Sequence, residues 1–204
     1  PYMGRKIKGL IRVPLFTVLG VPDVDGQPAG SNDFPDYQGG ASLFRGEDGT
    51  PKQNGFAKFV FTIIVPRSVY DNADKRPARL LQYGHGFFGG HGELQGYATR
   101  FANDAGMVIM GTDWAGMATE DAANILTRLT TDIPSVMSFT ERTVQGMVNF
   151  IALGYAAKTT LAAVPGLSVD GTLVYDKDVP PYYYGISQGH ILGTTFVALS
   201  PHVE

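Results

Sequence analysis

The sequence predicts an α/β fold, with a mostly parallel sheet, helices on both faces and antiparallel first strands. Three observations carry that prediction. Short β-branched or aromatic runs alternate along the chain with segments of helical spacing. Glycine supplies 26 of 204 residues, well above ordinary usage, and charged residues only 17%, the profile of a tightly packed, turn-rich globule. The length suits one domain over residues 1–204, with a core that needs no staple.

Taken in order, Ile7 to Phe16 (IKGLIRVPLF) reads as a strand, and the proline inside it marks an edge strand. Residues from about 20 to 55 are dense in Gly, Pro, Asp and Asn, so a surface loop excursion is expected there. FAKFVFTIIV, from Phe56 to the stop at Pro66, is a strong strand; joined to the first without a helix, it should be its antiparallel neighbour. ARLLQY is a short buried strand running into GHGFFGGHG, and residues 93–105 have helical spacing with Gly106 as the stop. MVIMGTD follows as another buried strand. Asp132 can cap a long helix with Pro134 in its first turn, its apolar stripe formed by Val136, Met137, Val144, Met147, Val148 and Ile151. Gly166 to Asp178 reads as a connecting loop, Tyr182 to Tyr184 as a last strand packed into the sheet, and Gln188 to Leu199 as a final helix.

Composition excludes several classes of function. A net charge of −3 without a basic cluster argues against a nucleic-acid partner. No apolar run is long enough to span a bilayer. Zero cysteines remove disulfides, thiolate nucleophiles and cysteine metal sites. Asp176 and Asp178 read as solvated loop residues with no metal, and Glu120 and Asp121 as first-turn helix charges. No targeting leader follows Pro1, and a non-methionine start suits a processed or partly recorded chain. The compartment is not fixed; the lack of cysteine and the turn-rich leading half lean towards export.

The sharpest chemical signal is Gly185-Ile186-Ser187-Gln188-Gly189, between a strand and a helix. A serine on such an elbow adopts strained dihedrals, and glycines two positions to either side remove Cβ atoms that would collide. Its hydroxyl then projects at a helix N-terminus, where backbone N–H groups favour developing negative charge. With eight serines and this glycine content, chance supplies roughly 0.13 such pentapeptides, so the strand-before, helix-after context carries the weight. About a hundred residues upstream, ARLLQY ends in Gly84-His85-Gly86-Phe87-Phe88-Gly89-Gly90.

Together these motifs resemble the α/β-hydrolase superfamily of serine esterases and lipases, over roughly residues 56 to 200. The resemblance implies Ser187 as nucleophile, with the backbone N–H groups of Phe87 and Gln188 as the oxyanion hole. It also implies that His85 holds the turn rather than transferring protons. His85, Phe88, Asp113 and Trp114 are expected to line the pocket, a capped turn with a packed indole being an equal reading for the last two. The substrate implied is a small-molecule or lipid-like ester, the Phe87–Phe88 lip suiting an apolar acyl or aryl group, and no cofactor is implied.

In that superfamily the acid and the histidine follow the nucleophile. Downstream of Ser187 stand only His190, His202 and Glu204. An intact helix would carry His202 about 22 Å away, and His190 should pack beneath the elbow. Of the upstream histidines, His85 and His91, neither has a homologous role as base. The expectation is therefore an incomplete hydrolase core, an amino-terminal portion whose triad is completed by a remaining C-terminal segment or a second chain. Two other readings stand. Gly84-x-Gly86-x-x-Gly89 spells an NAD(P)-type dinucleotide fingerprint, with Asp113 near where a ribose-binding acid would sit. Two bulky phenylalanines and two histidines in that loop weigh against it. The chain could also be a hydrolase fold kept as a non-catalytic binding module.

Overall fold

The computed structural model describes residues 1–18, 42–136 and 138–204. Most of the turn-rich excursion, and Met137 of the apolar stripe, lie outside the described residues. The part from 42 to 55 returns to the body, where Thr17 bridges Leu43 and the Asn54 side chain donates to the Thr17 carbonyl at 3.2 Å.

Strand β1 (Met3–Pro14) pairs antiparallel with β2 (Phe56–Pro66) along its whole length. As the outer strand it turns Lys6, Lys8 and Arg12 to solvent, charges that discourage edge-to-edge pairing. A one-turn helix, α1 (Arg67–Tyr70), leads towards β3 (Arg79–Gly84). Helix α2 (Tyr97–Ala105) ends at Gly106, whose φ of 67° supplies a left-handed cap, and β4 (Met107–Thr112) follows.

Helix α3 (Thr119–Thr131) carries Asp121, whose carboxylate accepts the Ala118 N–H at 3.0 Å and pairs with Arg142 at 2.7 Å. Asp121 is thus a buried, ion-paired cap rather than an ordinary surface charge. The long helix expected from Asp132 begins later. Asp132 closes α3, Pro134 sits in the four-residue α4 (Ile133–Val136), and α5 runs Ser138–Lys158. The stretch read as a connecting loop contains a small hairpin, β5 (Ser168–Val169) and β6 (Thr172–Leu173), turned by Asp170 and Gly171 with φ of 52° and 79°. Strand β7 (Tyr182–Gly185) then feeds helix α6 (Gln188–Leu199).

The main sheet has the order β1-β2-β4-β3-β7. It is mixed rather than mostly parallel: β1/β2 and β2/β4 pair antiparallel, while β4/β3 and β3/β7 pair parallel. The link from β2 to β3 holds only short turns, with no long crossover helix to return the chain in the same direction.

Helices cover both faces. Ala98 and Ala102 of α2 pack on Ile64, Leu81, Tyr83 and Ile109. On the opposite face Leu153, Ala156 and Ala157 of α5 pack on Phe61, Ile63, Leu80, Val108 and Met110. Phe150 of α5 and Phe196 of α6 enclose Trp114 on that same face. No helix among the described residues is long and apolar enough to cross a membrane.

This order places a topological switch between β3 and β7. The chain leaves β3 over one face to reach β4, then leaves β4 over the other face to reach β7. Crevices that receive ligands form beyond the carboxyl ends of strands at such a point. The layer beneath it depends on Phe150, which is fully buried and stacked on Trp114 with ring centroids 3.5 Å apart. Phe150→Ala should cost about 3–5 kcal/mol in chemical denaturation, whereas Val144→Ala, on an exposed face of the same helix, should stay within about 0.5 kcal/mol.

Candidate functional site at the β3 and β7 carboxyl ends

Strands β3 and β7 run in parallel register with Gly84 opposite Gly185, so the segments leaving them start side by side. The Ile186 N–H donates to the Gly84 carbonyl at 3.2 Å and ties the two exits together. Ser187 then takes φ 51° and ψ −119° and is exposed. An L-residue adopts that conformation at a cost of order 1–3 kcal/mol, which the surrounding packing must offset. Its hydroxyl caps no helix N–H. Behind it α6 begins, with no acidic side chain in its first turn, so the partial positive charge of the helix start stands unopposed.

The flanking glycines are required, though by different neighbours than the serine. A Cβ on Gly189 would run into the carbonyls of Gly84 and His85, the latter at 2.6 Å. A Cβ on Gly185 would strike the Gly189 backbone and the Tyr183 hydroxyl. The glycines let the first turn of α6 sit directly on the ends of β3 and β7. Within that turn Gly189 donates to the Ile186 carbonyl at 2.8 Å and His190 to the Ser187 carbonyl at 3.0 Å. The Gln188 N–H has no partner among the described residues. The Gln188 side chain is buried, and neither atom of its amide is paired among the described residues.

The segment after β3 is a tight turn in which the Gly89 N–H donates to the Gly86 carbonyl at 3.0 Å. Phe88 occupies its third position at φ 51°, a place that glycine usually fills. The turn is held by Phe88 N–H to the Met117 carbonyl at 3.0 Å and by the Thr119 hydroxyl to the carbonyls of Phe88 and Gly89, both at 3.0 Å. The Phe87 N–H has no partner among the described residues, and the Phe87 ring is 60% exposed beside that of Phe88. Apart from Asp170 in the small hairpin, the described non-glycine residues with positive φ are Phe88 and Ser187, so backbone strain gathers at this sheet edge.

His85 is buried and both of its ring nitrogens are engaged. Nε2 accepts the Trp114 N–H at 2.7 Å, which leaves Nδ1 as the donor to the Gly86 carbonyl at 2.8 Å. The ring is therefore held under the turn rather than lining an open pocket. Trp114 likewise belongs to the core, stacked on Phe150. Asp113 faces the loop: its carboxylate accepts the His91 N–H at 2.5 Å and meets the His91 ring Nδ1 at 2.9 and 3.0 Å. The capped turn and packed indole is thus the arrangement found at both positions.

Sequence reasoning missed the anchoring roles of Glu93, His91 and Thr119. The spacing of residues 93–105 predicts a helix starting at Glu93. Instead a 3₁₀ turn spans His91–Gln95, and α2 begins only after Gly96, whose φ and ψ of −89° and −130° break the run. Glu93 Oε2 accepts the Gly86 N–H at 3.2 Å and the Tyr83 hydroxyl at 3.0 Å. His91 lines a cleft of about 410 Å³ with Lys8, Leu10, Val60 and Glu120, over β1 and β2. β4 and β3 stand between β2 and β7, and those three strand spacings amount to about 14 Å.

Among the described residues no histidine ring hydrogen-bonds the Ser187 hydroxyl. His85 and His91 are engaged as described, His190 is exposed on α6, and His202 packs on the Tyr155 ring with centroids 5.5 Å apart. Among the described residues no group of three or more His, Asp or Glu side chains could hold a metal ion. A larger apolar cleft of about 740 Å³ runs between β1 and α5, lined by Leu10, Pro14, Ile151, Tyr155 and Leu161, and includes no residue of the elbow or the turn.

No family model matches the chain. No curated protein is significantly similar to it in sequence. The functional reading therefore stands on this geometry. Gly189→Ala tests its tightest contact: it should destabilise the protein by about 1–3 kcal/mol and shift the emission of Trp114, the single tryptophan, as the first turn of α6 lifts from β3.

Proposed function

We propose that this chain carries the nucleophile and oxyanion hole of a serine hydrolase of the α/β-hydrolase type, acting on carboxylic esters. One observation carries the reading. Two strained backbone turns, each with an unpartnered N–H among the described residues, leave adjacent strand ends beside an exposed serine. Strain of this kind is kept where the surrounding structure enforces it, and it clusters at functional sites. The buried, unpaired amide of Gln188 at the same helix start is a second sign that polar atoms of a ligand are received there.

Ser187 Oγ attacks the ester carbonyl carbon and passes its proton to a base. The carbonyl oxygen becomes an oxyanion held by the Phe87 and Gln188 N–H groups. Collapse of that intermediate expels the alcohol, which takes up the proton, and water then releases the acid by the same steps. His85 keeps the Phe87 amide aimed. The Gly86 carbonyl and the Phe87 N–H belong to one planar peptide and point in opposite directions. Pinning the carbonyl with His85 Nδ1–H and Gly89 N–H leaves the Phe87 N–H facing away from the turn. Exposed Phe87 and Ile186 make an apolar lip suited to an acyl or aryl group.

The base comes from a histidine and a carboxylate outside the residues described, on a further segment or a second chain. The open edge of β7 suits such a segment, since Tyr182 and Tyr184, with Ile191 and Leu199 of α6, are exposed beside it. The dinucleotide reading of Gly84, Gly86 and Gly89 is disfavoured. The Gly86, Phe88 and Gly89 amides that a pyrophosphate would need are already bonded within the protein, and α2 begins only at Tyr97, eight residues past Gly89 (97 − 89), too late to offer its N-terminus.

Full-length protein should be labelled by a fluorophosphonate at Ser187 and should hydrolyse p-nitrophenyl butyrate. Ser187→Ala should abolish both while leaving the unfolding midpoint within about 1 °C. Turnover retained by Ser187→Ala would overturn the assignment, and folded wild-type protein that takes no label would point to a binding module. His85→Asn, which can still donate to the Gly86 carbonyl, should keep more activity than His85→Gln, which can still accept from Trp114 but reaches past that carbonyl. The reverse order would show that His85 serves only the Trp114 turn.

A further inference from the structure

Glu93 meets the Gly86–Gly89 turn through the Gly86 N–H, whereas two other hydrogen bonds pin the Gly86 carbonyl. Its Oε2 takes the Gly86 N–H at 3.2 Å and the Tyr83 hydroxyl at 3.0 Å, and the Tyr83 hydroxyl is itself 2.8 Å from that of Tyr97. Oε1 fills the space beside Gly89, where a Cβ would overlap the carboxylate. The turn thus closes around one carboxylate group, with an amide on one oxygen and a bare glycine Cα against the other.

This bears on the peptide planes that matter. Residues 85 to 87 contain two successive peptide groups. His85 and Gly89 fix the second, through its carbonyl; among the described residues only the Glu93 bond fixes the first, through its N–H. Without it the 85–86 peptide is free to rotate about the flexible Gly86, and the direction of the Phe87 N–H is no longer determined from both sides. Burial, followed by the bonds with Tyr97 and Glu93, pushes the Tyr83 hydroxyl far above its ordinary range. Tyr83 therefore stays a donor to Glu93 throughout the range in which an esterase works.

We propose that Glu93 is a positioning residue for the oxyanion hole, setting the Phe87 N–H by accepting the Gly86 N–H, an inference that rests on the hydrolase reading above. What the turn requires is an acceptor at the place of Oε2, not a negative charge.

Four variants of the full-length protein test it, with p-nitrophenyl butyrate as substrate and backbone hydrogen exchange of residues 84–90 as a readout independent of turnover. Glu93→Ala should lower kcat about 10- to 100-fold with KM within about twofold, because the loss falls on transition-state geometry rather than on binding. It should also speed exchange at Gly86. Glu93→Gln, whose amide oxygen still accepts, should keep kcat within about threefold of wild type and retain the protection. Glu93→Asp keeps the charge but withdraws it by one methylene, and should resemble Glu93→Ala in both readouts. Should Glu93→Ala fail to fold, the contrast between Gln and Asp still decides. Activity kept by Asp and lost by Gln would overturn the inference, as would unchanged exchange and kcat in Glu93→Ala. Ser187→Ala in the same assay separates the two levels. If it still hydrolyses the ester, the hydrolase reading fails, while exchange at Gly86 continues to report whether Glu93 holds the turn.

Discussion

One tyrosine sets the spacing on which this sheet edge depends. The side chain of Tyr183 lies where Cβ atoms of Gly84, Gly185 and Gly193 would otherwise be, and its hydroxyl donates to the Gly189 carbonyl. Four glycines, from β3, the elbow and α6, therefore surround a single phenol. Their absent side chains let α6 approach the sheet closely enough for its first turn to rest on the Gly84 and His85 carbonyls. A larger residue at Gly84, Gly185 or Gly193 would move either Tyr183 or the helix, and with the helix would go the Gln188 amide. Gly84 and Gly193 thus answer to the ring beneath them, while Gly185 and Gly189 answer chiefly to the backbone that the close approach brings against them.

Holding Ser187 and Phe88 in left-handed conformations costs of order 1–3 kcal/mol each, and packing below has to offset it. The aromatic group of Trp114, Phe150, Phe196 and Tyr183 lies directly under the elbow, with ring centroids 3.5 to 6.3 Å apart. Aromatic pairs at these separations contribute about 0.5–1.5 kcal/mol beyond the area they bury. The same tryptophan ties the two loops together, because its backbone N–H is the partner of His85 Nε2. A single residue just past β4 thereby packs under the elbow through its ring and holds the Gly86–Gly89 turn, by way of His85, through its main chain.

How much of this could be read beforehand follows from the range of each signal. The runs that became β2, β3 and β4 are local and strongly apolar, and β1 with its proline was legible as an edge strand because one residue type decides it. The elbow was legible because its glycines lie within five residues of one another. The break at Gly96 and the division of the long helix near Pro134 were not, since a glycine or proline inside a periodic run is resolved by tertiary packing. The anchors of the turn are further from reach. His85 meets Trp114 across 29 positions, and Thr119 meets Phe88 across 31. Glu93 is only seven residues from Gly86, yet its helical surroundings in sequence hid a carboxylate that folds back beneath a turn. The parallel part of the sheet was overestimated because the direction of β2 relative to β4 depends on a connection that carries no pattern of its own.

The distribution of charge around the turn gives these anchors a common logic. An anion at this edge would face backbone amides and the start of α6, and an unneutralised carboxylate beside it would oppose that attraction. The carboxylates of Glu93 and Asp113 nevertheless stand beside the loop, and each is occupied by donors from within the protein. Glu93 receives an amide and a phenol; Asp113 receives an amide and faces an imidazole nitrogen. Their charge is spread over hydrogen bonds that fix the backbone, so the negative groups nearest the site serve to orient its positive ones. Uncharged acceptors at the same places could hold the same planes, because a peptide N–H needs a lone pair in the right position rather than a full charge.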